Sequence, residues 1–159
     1  MITECSKIDT TKILSVINDA AIKYKGVIPD NCWHDPYMSE QELLNEFSNN
    51  LRMFGLYQNS NLIGVMGIQE LRDVMLIRHA YTLTNYQGAG VGKSLLKYLL
   101  KINQKTQILV GTWKDAIWAI RFYEKFGFTL HTKKQTIYLL RKYWQISSQQ
   151  IENSVVLEK

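Results

Sequence analysis

"YQGAGVGKSLL", Tyr86 to Leu96, can be read from either end. Gly92-Lys93-Ser94 is the tail of a nucleotide-binding P-loop, but that motif needs a glycine five positions before Gly92, where Gln87 stands. The dinucleotide fingerprint fails too, because Gly88, Gly90 and Gly92 are spaced G-x-G-x-G rather than G-x-G-x-x-G. What the stretch does match is Gln-x-x-Gly-x-Gly, set between a strand-like and a helix-like segment. Small residues there let backbone N–H groups turn inward toward an anion, and a helix N-terminus behind them adds partial positive charge. A pyrophosphate suits such a loop. Lys93 is unfavourable in a first helical turn unless a negative ligand compensates it. The competing reading is an ordinary strand-to-helix turn.

The charge distribution agrees with a phosphorylated ligand. Of the net +5, the excess lies between Asp73 and Asp115, where Arg78, Lys93, Lys97, Lys101, Lys105 and Lys114 meet no acidic residue. The remainder of the chain holds 13 basic and 14 acidic residues. Lysines that merely solvate one helix face would give the same pattern. A length of 159 residues predicts one domain, 1–159, with a substantial core. No apolar run approaches the ~20 residues of a membrane span, and the N-terminus MITECSKIDT lacks a basic region followed by an apolar one. Cys5 and Cys32 form neither a metal-ligand pattern nor a disulfide framework. Free thiols in a reducing cytoplasm, with no bound metal and no membrane partner, are the expectation.

Working outward, a strand is predicted at Ile2–Cys5, then a helix capped at Asp9 or Thr10 and stopped at Gly26, with Ile13, Leu14, Ile17, Ala20, Ala21 and Tyr24 on one stripe. Val27 to Met38 reads as a loop rich in Trp, His, Tyr and Asp. Ser39 and Glu42 form a capping box for a helix that buries Leu43, Leu44 and Phe47. Three strands follow, "RMFGLY", "LIGVMGIQEL" and "VMLIRHAYTL", turning at Asn59-Ser60-Asn61 and Arg72-Asp73. After the glycine loop the period becomes helical, with Val91, Leu95, Leu96, Leu99 and Leu100 apolar. "QILVGTW" is a buried strand, Ala116 to Phe126 a helix ended by Gly127, and "FTLHT" another strand. Residues near Lys133 to Trp144 read as helical and "NSVVL" as a last strand. Strands in a meander, then alternating with helices, make a mixed α/β sheet.

One strand and one helix beyond the glycine loop comes "WAIRFYEKFGF", Trp118 to Phe128, with Trp118, Ala119 and Phe122 as a packing stripe beside Tyr123. The pattern A-x-x-F-Y-x-K-x-G-F, together with Gln-x-x-Gly-x-Gly, resembles the GNAT superfamily of acetyl-CoA-dependent N-acetyltransferases. The resemblance is motif-specific from roughly Leu76 to Phe128 and extends to most of the chain in element order. It implies a mostly antiparallel central sheet with helices on both faces, splayed around an acyl-CoA cleft. It further implies that Gln87, Gly88, Ala89, Gly90, Val91, Gly92, Lys93 and Ser94 hold the CoA pyrophosphate, and that Tyr81, Thr82 and Leu83 pair their backbone with the pantetheine arm. Tyr123 corresponds to the residue that protonates the departing CoA thiolate, and a phenol, with an unperturbed pKa of ~10, is protonated at neutral pH.

The chain departs from the family at two points. Ala116 occupies a cofactor-binding position where relatives often carry a hydrogen-bonding Asn. At the positions where a Glu or His base commonly falls stand Leu76 and Arg78. His79 is the nearest titratable alternative, although strict alternation aims it at the face opposite Arg78 unless a β-bulge re-aims it. Arg78 is a candidate for binding an acceptor carboxylate. Acceptor recognition is expected from "CWHDPYM", through Trp33, His34 and Tyr37. The helical stretch near 133–144, where relatives have a hairpin, is a candidate lid; local packing would account for both segments equally. The expected reaction moves acetyl from acetyl-CoA to a primary amine, in a protein that the resemblance allows to be a homodimer. Rivals are a longer acyl donor such as succinyl-CoA and a non-catalytic acyl-CoA sensor. A nucleic-acid module has the basic helix but no reader motif.

Overall fold

The computed structural model describes all 159 residues. Its strands are β1 (Ile2–Cys5), β2 (Leu51–Gln58), β3 (Asn61–Leu71), β4 (Val74–Thr82), β5 (Gln107–Trp113), β6 (Thr129–Leu130) and β7 (Ser154–Glu158). Its α-helices are α1 (Thr10–Ala21), α2 (Glu40–Ser48), α3 (Val91–Ile102), α4 (Ile117–Lys125), α5 (Lys133–Tyr143) and α6 (Ser148–Glu152). The strands form one sheet in the order β1-β2-β3-β4-β5-β7-β6, antiparallel everywhere except between β4 and β5. No helix is long and apolar enough to cross a membrane.

Alternation along β4 sorts the helices to two faces. Met75 and Ile77 join Leu95, Leu96 and Leu99 of α3 and Ile120 of α4. Val74 and Leu76 point the other way, against Leu139 and Leu140 of α5 and Ile151 of α6. On that second face Ile13 and Ile17 of α1 and Leu43 of α2 cover Leu51, Met53 and Val65. Full burial of each such side chain contributes about 1.5–3 kcal/mol. Helix α3 lies close to the sheet because Gly64 faces it. A Cβ there would sit 2.4 Å from Cγ1 of Val91.

Two irregularities shape the region around the glycine loop. β4 and β5 pair only from Val74–Gln107 to Ile77–Val110; beyond that both strands run on but part, while β5 stays paired along its other edge with β7, from Leu109 to Trp113. Opposite, the β3–β4 register passes from Gly67–Arg78 to Val65–Tyr81, so two residues of β4, His79 and Ala80, oppose one of β3. That is a β-bulge, and His79 occupies it at φ +52°.

Most predicted elements are present, with local differences. The Asp9 side chain does not cap α1; it accepts from the Ser6 backbone N–H and closes a short 3₁₀ turn ahead of the helix. The first helix tightens into a 3₁₀ turn at Ile22–Tyr24. The "FTLHT" strand shrinks to Thr129–Leu130, and α6 is an addition. The stretch 133–144 is no loose flap, since Leu139 and Leu140 are buried in the core beneath it.

Candidate active site

The loop before α3 reaches the helix through two left-handed glycines, Gly88 at φ +79° and Gly90 at φ +83°, the latter being the N-cap. No side chain caps the helix. The amides of Gly88, Gly90, Val91, Gly92 and Lys93 make no hydrogen bond within the protein. A Cβ on Gly88 or Gly90 would meet nothing within 4 Å, so the concave side is open. Five unpaired donors at the positive end of a helix dipole make an anion cradle, and a pyrophosphate fits it by both charge and donor count. The Gln87 side chain donates to the Thr82 carbonyl at 3.3 Å and ties the loop to the end of β4.

From this cradle a cleft of about 480 Å³ runs inward along Tyr81, Thr82, Gln87, Gly88, Gly90, Val91, Gly92 and Lys93, with Trp118, Phe122 and Tyr123 of α4 opposite. Lys23, Lys93 and Lys125 stand around it, with no acidic residue among the lining groups. Of the lysine ladder on α3 only Lys93 lines the cleft; Lys97 and Lys101 are solvated. Beyond Ile77 the β5-side edge of β4 has no strand partner, so its backbone is free to pair with an extended ligand.

Four residues expected in the cofactor site do not line this cleft. Leu83 packs inward, and its N–H donates to the Ile63 carbonyl at 3.0 Å. The Ala89 amide is held by Tyr86 and the Ser94 amide by Gly90, the latter as the first bond of α3. Ala116 is the N-cap of α4 and is fully buried against Ile28 and Trp113, too short to offer any donor.

Where β4 and β5 part, a second cavity of about 190 Å³ opens toward the α1, α2 and α5 side of the sheet. It shares Tyr24, Ala80, Tyr81, Ala119 and Tyr123 with the first, so the two meet through the sheet at Tyr123. The Tyr123 ring is packed edge-on against Phe122 and Phe128, with centroids 5.1 and 5.4 Å away. Burial, and then the neighbouring Tyr24 oxygen, push the Tyr123 phenol well above its ordinary pKa. Tyr24 is itself pushed up to about 12 by burial and the neighbouring Tyr37. Both hydroxyls are therefore neutral at any physiological pH.

The bulge determines what else reaches the second cavity. Instead of pointing to opposite faces, Arg78 and His79 both reach the carboxylate of Glu46, on α2. Arg78 donates from Nη2 to Glu46 at 3.3 Å and from Nη1 to Gln69 at 3.0 Å. His79 meets Glu46 through Nε2. Both line the cavity. Burial works to raise the Glu46 pKa, but the His79 hydrogen bond and the charges of His79 and Arg78 outweigh it and hold the carboxyl below its usual range. Leu76, at the alternative base position, is buried beneath α5 and takes no part. Leu76→Ala is accordingly expected to cost about 2–5 kcal/mol in denaturant unfolding, through the cavity it leaves.

Of the aromatic loop, Tyr37 lines the second cavity and Trp33 stacks behind it at 5.7 Å; exposed His34 lies outside. Tyr37 is fixed by Trp113, whose Nε1 donates to its hydroxyl at 3.0 Å. Trp144, at the end of the candidate lid 133–144, also lines it, whereas Glu46, Tyr24 and Trp113 carried no sequence signal for this site. Tyr24 read as one more residue of a helical stripe, and Glu46 is 33 residues from His79 in sequence.

A family model described as an acetyltransferase (GNAT) domain matches residues 15–137. Among solved structures, the PaiA N-acetyltransferase from Thermoplasma acidophilum in complex with coenzyme A is 20% identical, with a TM-score of 0.74 over 100% of this chain and 98% of its own. A GNAT-family acetyltransferase from Staphylococcus aureus Mu50 is 16% identical, with a TM-score of 0.75 over 100% and 97%. The yncA protein from Salmonella typhimurium, solved with its cofactor acetyl-CoA, is 16% identical, with a TM-score of 0.68 over 100% and 92%. Identities this low speak to the fold. No curated protein matches the chain.

Proposed function

The chain belongs to the GNAT acetyltransferase family, and from that premise we propose that it transfers an acetyl group from acetyl-CoA to a primary amine by direct attack. The observation that carries this reading is the junction of two cavities at Tyr123, one ending in the free amides of Gly88–Lys93 and the other entering between the parted strands. That PaiA binds coenzyme A and yncA acetyl-CoA in this fold supports the choice of donor. Acetyl-CoA would place its pyrophosphate on the loop amides, its pantetheine arm along the free edge of β4 and its thioester beside Tyr123.

The neutral amine nitrogen attacks the thioester carbonyl carbon, the C–S bond breaks, and the products are the N-acetyl amide and CoA thiol. His79 is assigned the removal of the proton from the attacking amine. With Nε2–H donated to Glu46, Nδ1 holds the lone pair that a base needs. Glu46 then acts as a positioning residue that fixes the tautomer and stabilises the imidazolium formed. Tyr123 delivers a proton to the sulfur. Cys5 and Cys32, both free, support a reducing cytoplasm as the setting.

A non-catalytic acyl-CoA binder is the second reading, favoured by the burial of Leu76 where relatives carry a base. Release of CoA thiol that requires both acetyl-CoA and an amine separates the two. Thiol release above the no-amine control supports an enzyme, and binding of acetyl-CoA with no release from any amine supports a sensor.

Glu46→Gln is expected to cost about 1–2 kcal/mol of stability at neutral pH. The folded Glu46 pKa lies below its unfolded value, so the contribution is complete above the ordinary carboxylate range and is lost as pH falls through the folded pKa. The stability gap between wild type and variant should therefore close in acid. Denaturant midpoints measured from pH 7 to pH 3 check it, and a gap that widens in acid would count against the pairing.

A further inference from the structure

The lining of the second cavity identifies a class of acceptor. Tyr24, Tyr37, Tyr81, Trp113, Trp144 and Tyr123 all line it, and Tyr123 is shared with the first cavity. The Trp144 ring lies on Gly111 of β5, where a Cβ would come to 3.3 Å from its Cζ2. The Tyr24 and Tyr37 rings pack at 5.5 Å and those of Tyr24 and Tyr81 at 6.3 Å.

No aspartate or glutamate is among the lining residues. Arg78 is the cavity's one permanent cation; Glu46 neutralises it, and both its terminal nitrogens are already engaged, by Glu46 and Gln69. A second ammonium on the acceptor would be desolvated with no counter-charge. A carboxylate on it would meet an Arg78 whose charge Glu46 already neutralises. Either is costly in a partly buried site. Aromatic faces, by contrast, stabilise a single ammonium as it enters and a ring that follows it. About 190 Å³ accommodates a ring on a short chain.

We propose that the acceptor is a small arylalkylamine: one primary amine on a short chain carrying an aromatic ring, with no carboxylate and no second cationic group. This rests on the acyl-transfer reading above. The amine lies toward Tyr123 and His79, and the ring lies among Tyr37, Trp113 and Trp144. The reaction is balanced as already written, the acetyl passing to the amine nitrogen and the proton to the CoA sulfur.

The test is a matched series on the purified protein with saturating acetyl-CoA: 2-phenylethylamine, butylamine, phenylalanine and spermidine, read as thiol release. The expected result is a kcat/KM for 2-phenylethylamine at least about 10-fold above each of the others. Trp144→Ala should raise its KM about 10-fold and leave the KM for acetyl-CoA unchanged. Preference for spermidine, phenylalanine or butylamine overturns the proposal. Calorimetric titration of 2-phenylethylamine into CoA-loaded protein separates the two levels of inference. Binding without turnover upholds the acceptor class while the catalytic reading falls, and no binding overturns the acceptor class itself.

Discussion

Tyr123→Phe is expected to lower kcat about 100-fold and to leave the KM for acetyl-CoA nearly unchanged, the signature of losing a proton donor used only in the transition state. Phenylalanine keeps the ring contacts with Phe122 and Phe128, so the change removes a hydroxyl and little packing. The size of the loss follows from the leaving group. A thiolate expelled into a buried junction of two cavities is poorly solvated, and its return to the carbonyl competes with departure until it is protonated. Burial raises the Tyr123 phenol, which weakens it as an acid. The same burial raises the basicity of the thiolate it serves, so the proton transfer stays matched. Steady-state thiol release on wild type and variant measures this. A kcat within about two-fold of wild type would remove Tyr123 from the proton-donor role, since such a donor contributes at least ~100-fold.

Gly90→Val acts on the other cavity and should weaken acetyl-CoA binding about 100-fold. Gly90 holds φ +83° with open space where a Cβ would go, so the obstacle is conformational rather than steric crowding. A β-branched residue in the left-handed region costs about 1–2 kcal/mol, and the loop relieves this by turning its amides away from the concave side. Losing two charge-assisted bonds to phosphate, at about 1.5 kcal/mol each, gives two decades in dissociation constant. Calorimetric titration with acetyl-CoA gives the number directly. The acetyl-CoA KM should rise in parallel while saturated turnover stays close to wild type. Unchanged affinity would mean that these amides do not hold the ligand.

Sequence periodicity carried most of the fold because each element shows a plain apolar pattern: a single face on α3, with Leu95, Leu96 and Leu99, and an unbroken run on β5, where Ile108 and Val110 are buried on one side of the sheet and Leu109 on the other. The glycine loop was legible for a similar reason, since its positive φ values demand glycine locally. α6 could have been found from Ser147 and Gln150, which form a capping box, but five residues are too few to show a period. The acceptor side was less legible. Strict alternation opposes Arg78 and His79 unless a β-bulge intervenes, and the bulge between Val65 and Gly67 does so at a point that no residue type announces. Glu46 is an ordinary helical glutamate until the fold brings it beneath that bulge. Ala116 and Leu83 were assigned by position in a motif, and packing takes both away from the cleft.

Thermal unfolding of the purified protein with acetyl-CoA, CoA or Mg-ATP bears most directly on the claim that the Gly88–Lys93 cradle serves an acyl-CoA. A ligand at 100 times its dissociation constant adds about 2.7 kcal/mol, which is several degrees for a domain of this size. The expected result is that acetyl-CoA and CoA raise the Tm of the wild type, that Gly90→Val loses the shift, and that Mg-ATP produces none. A shift with Mg-ATP and none with either CoA would make Gly92-Lys93-Ser94 a nucleotide loop after all.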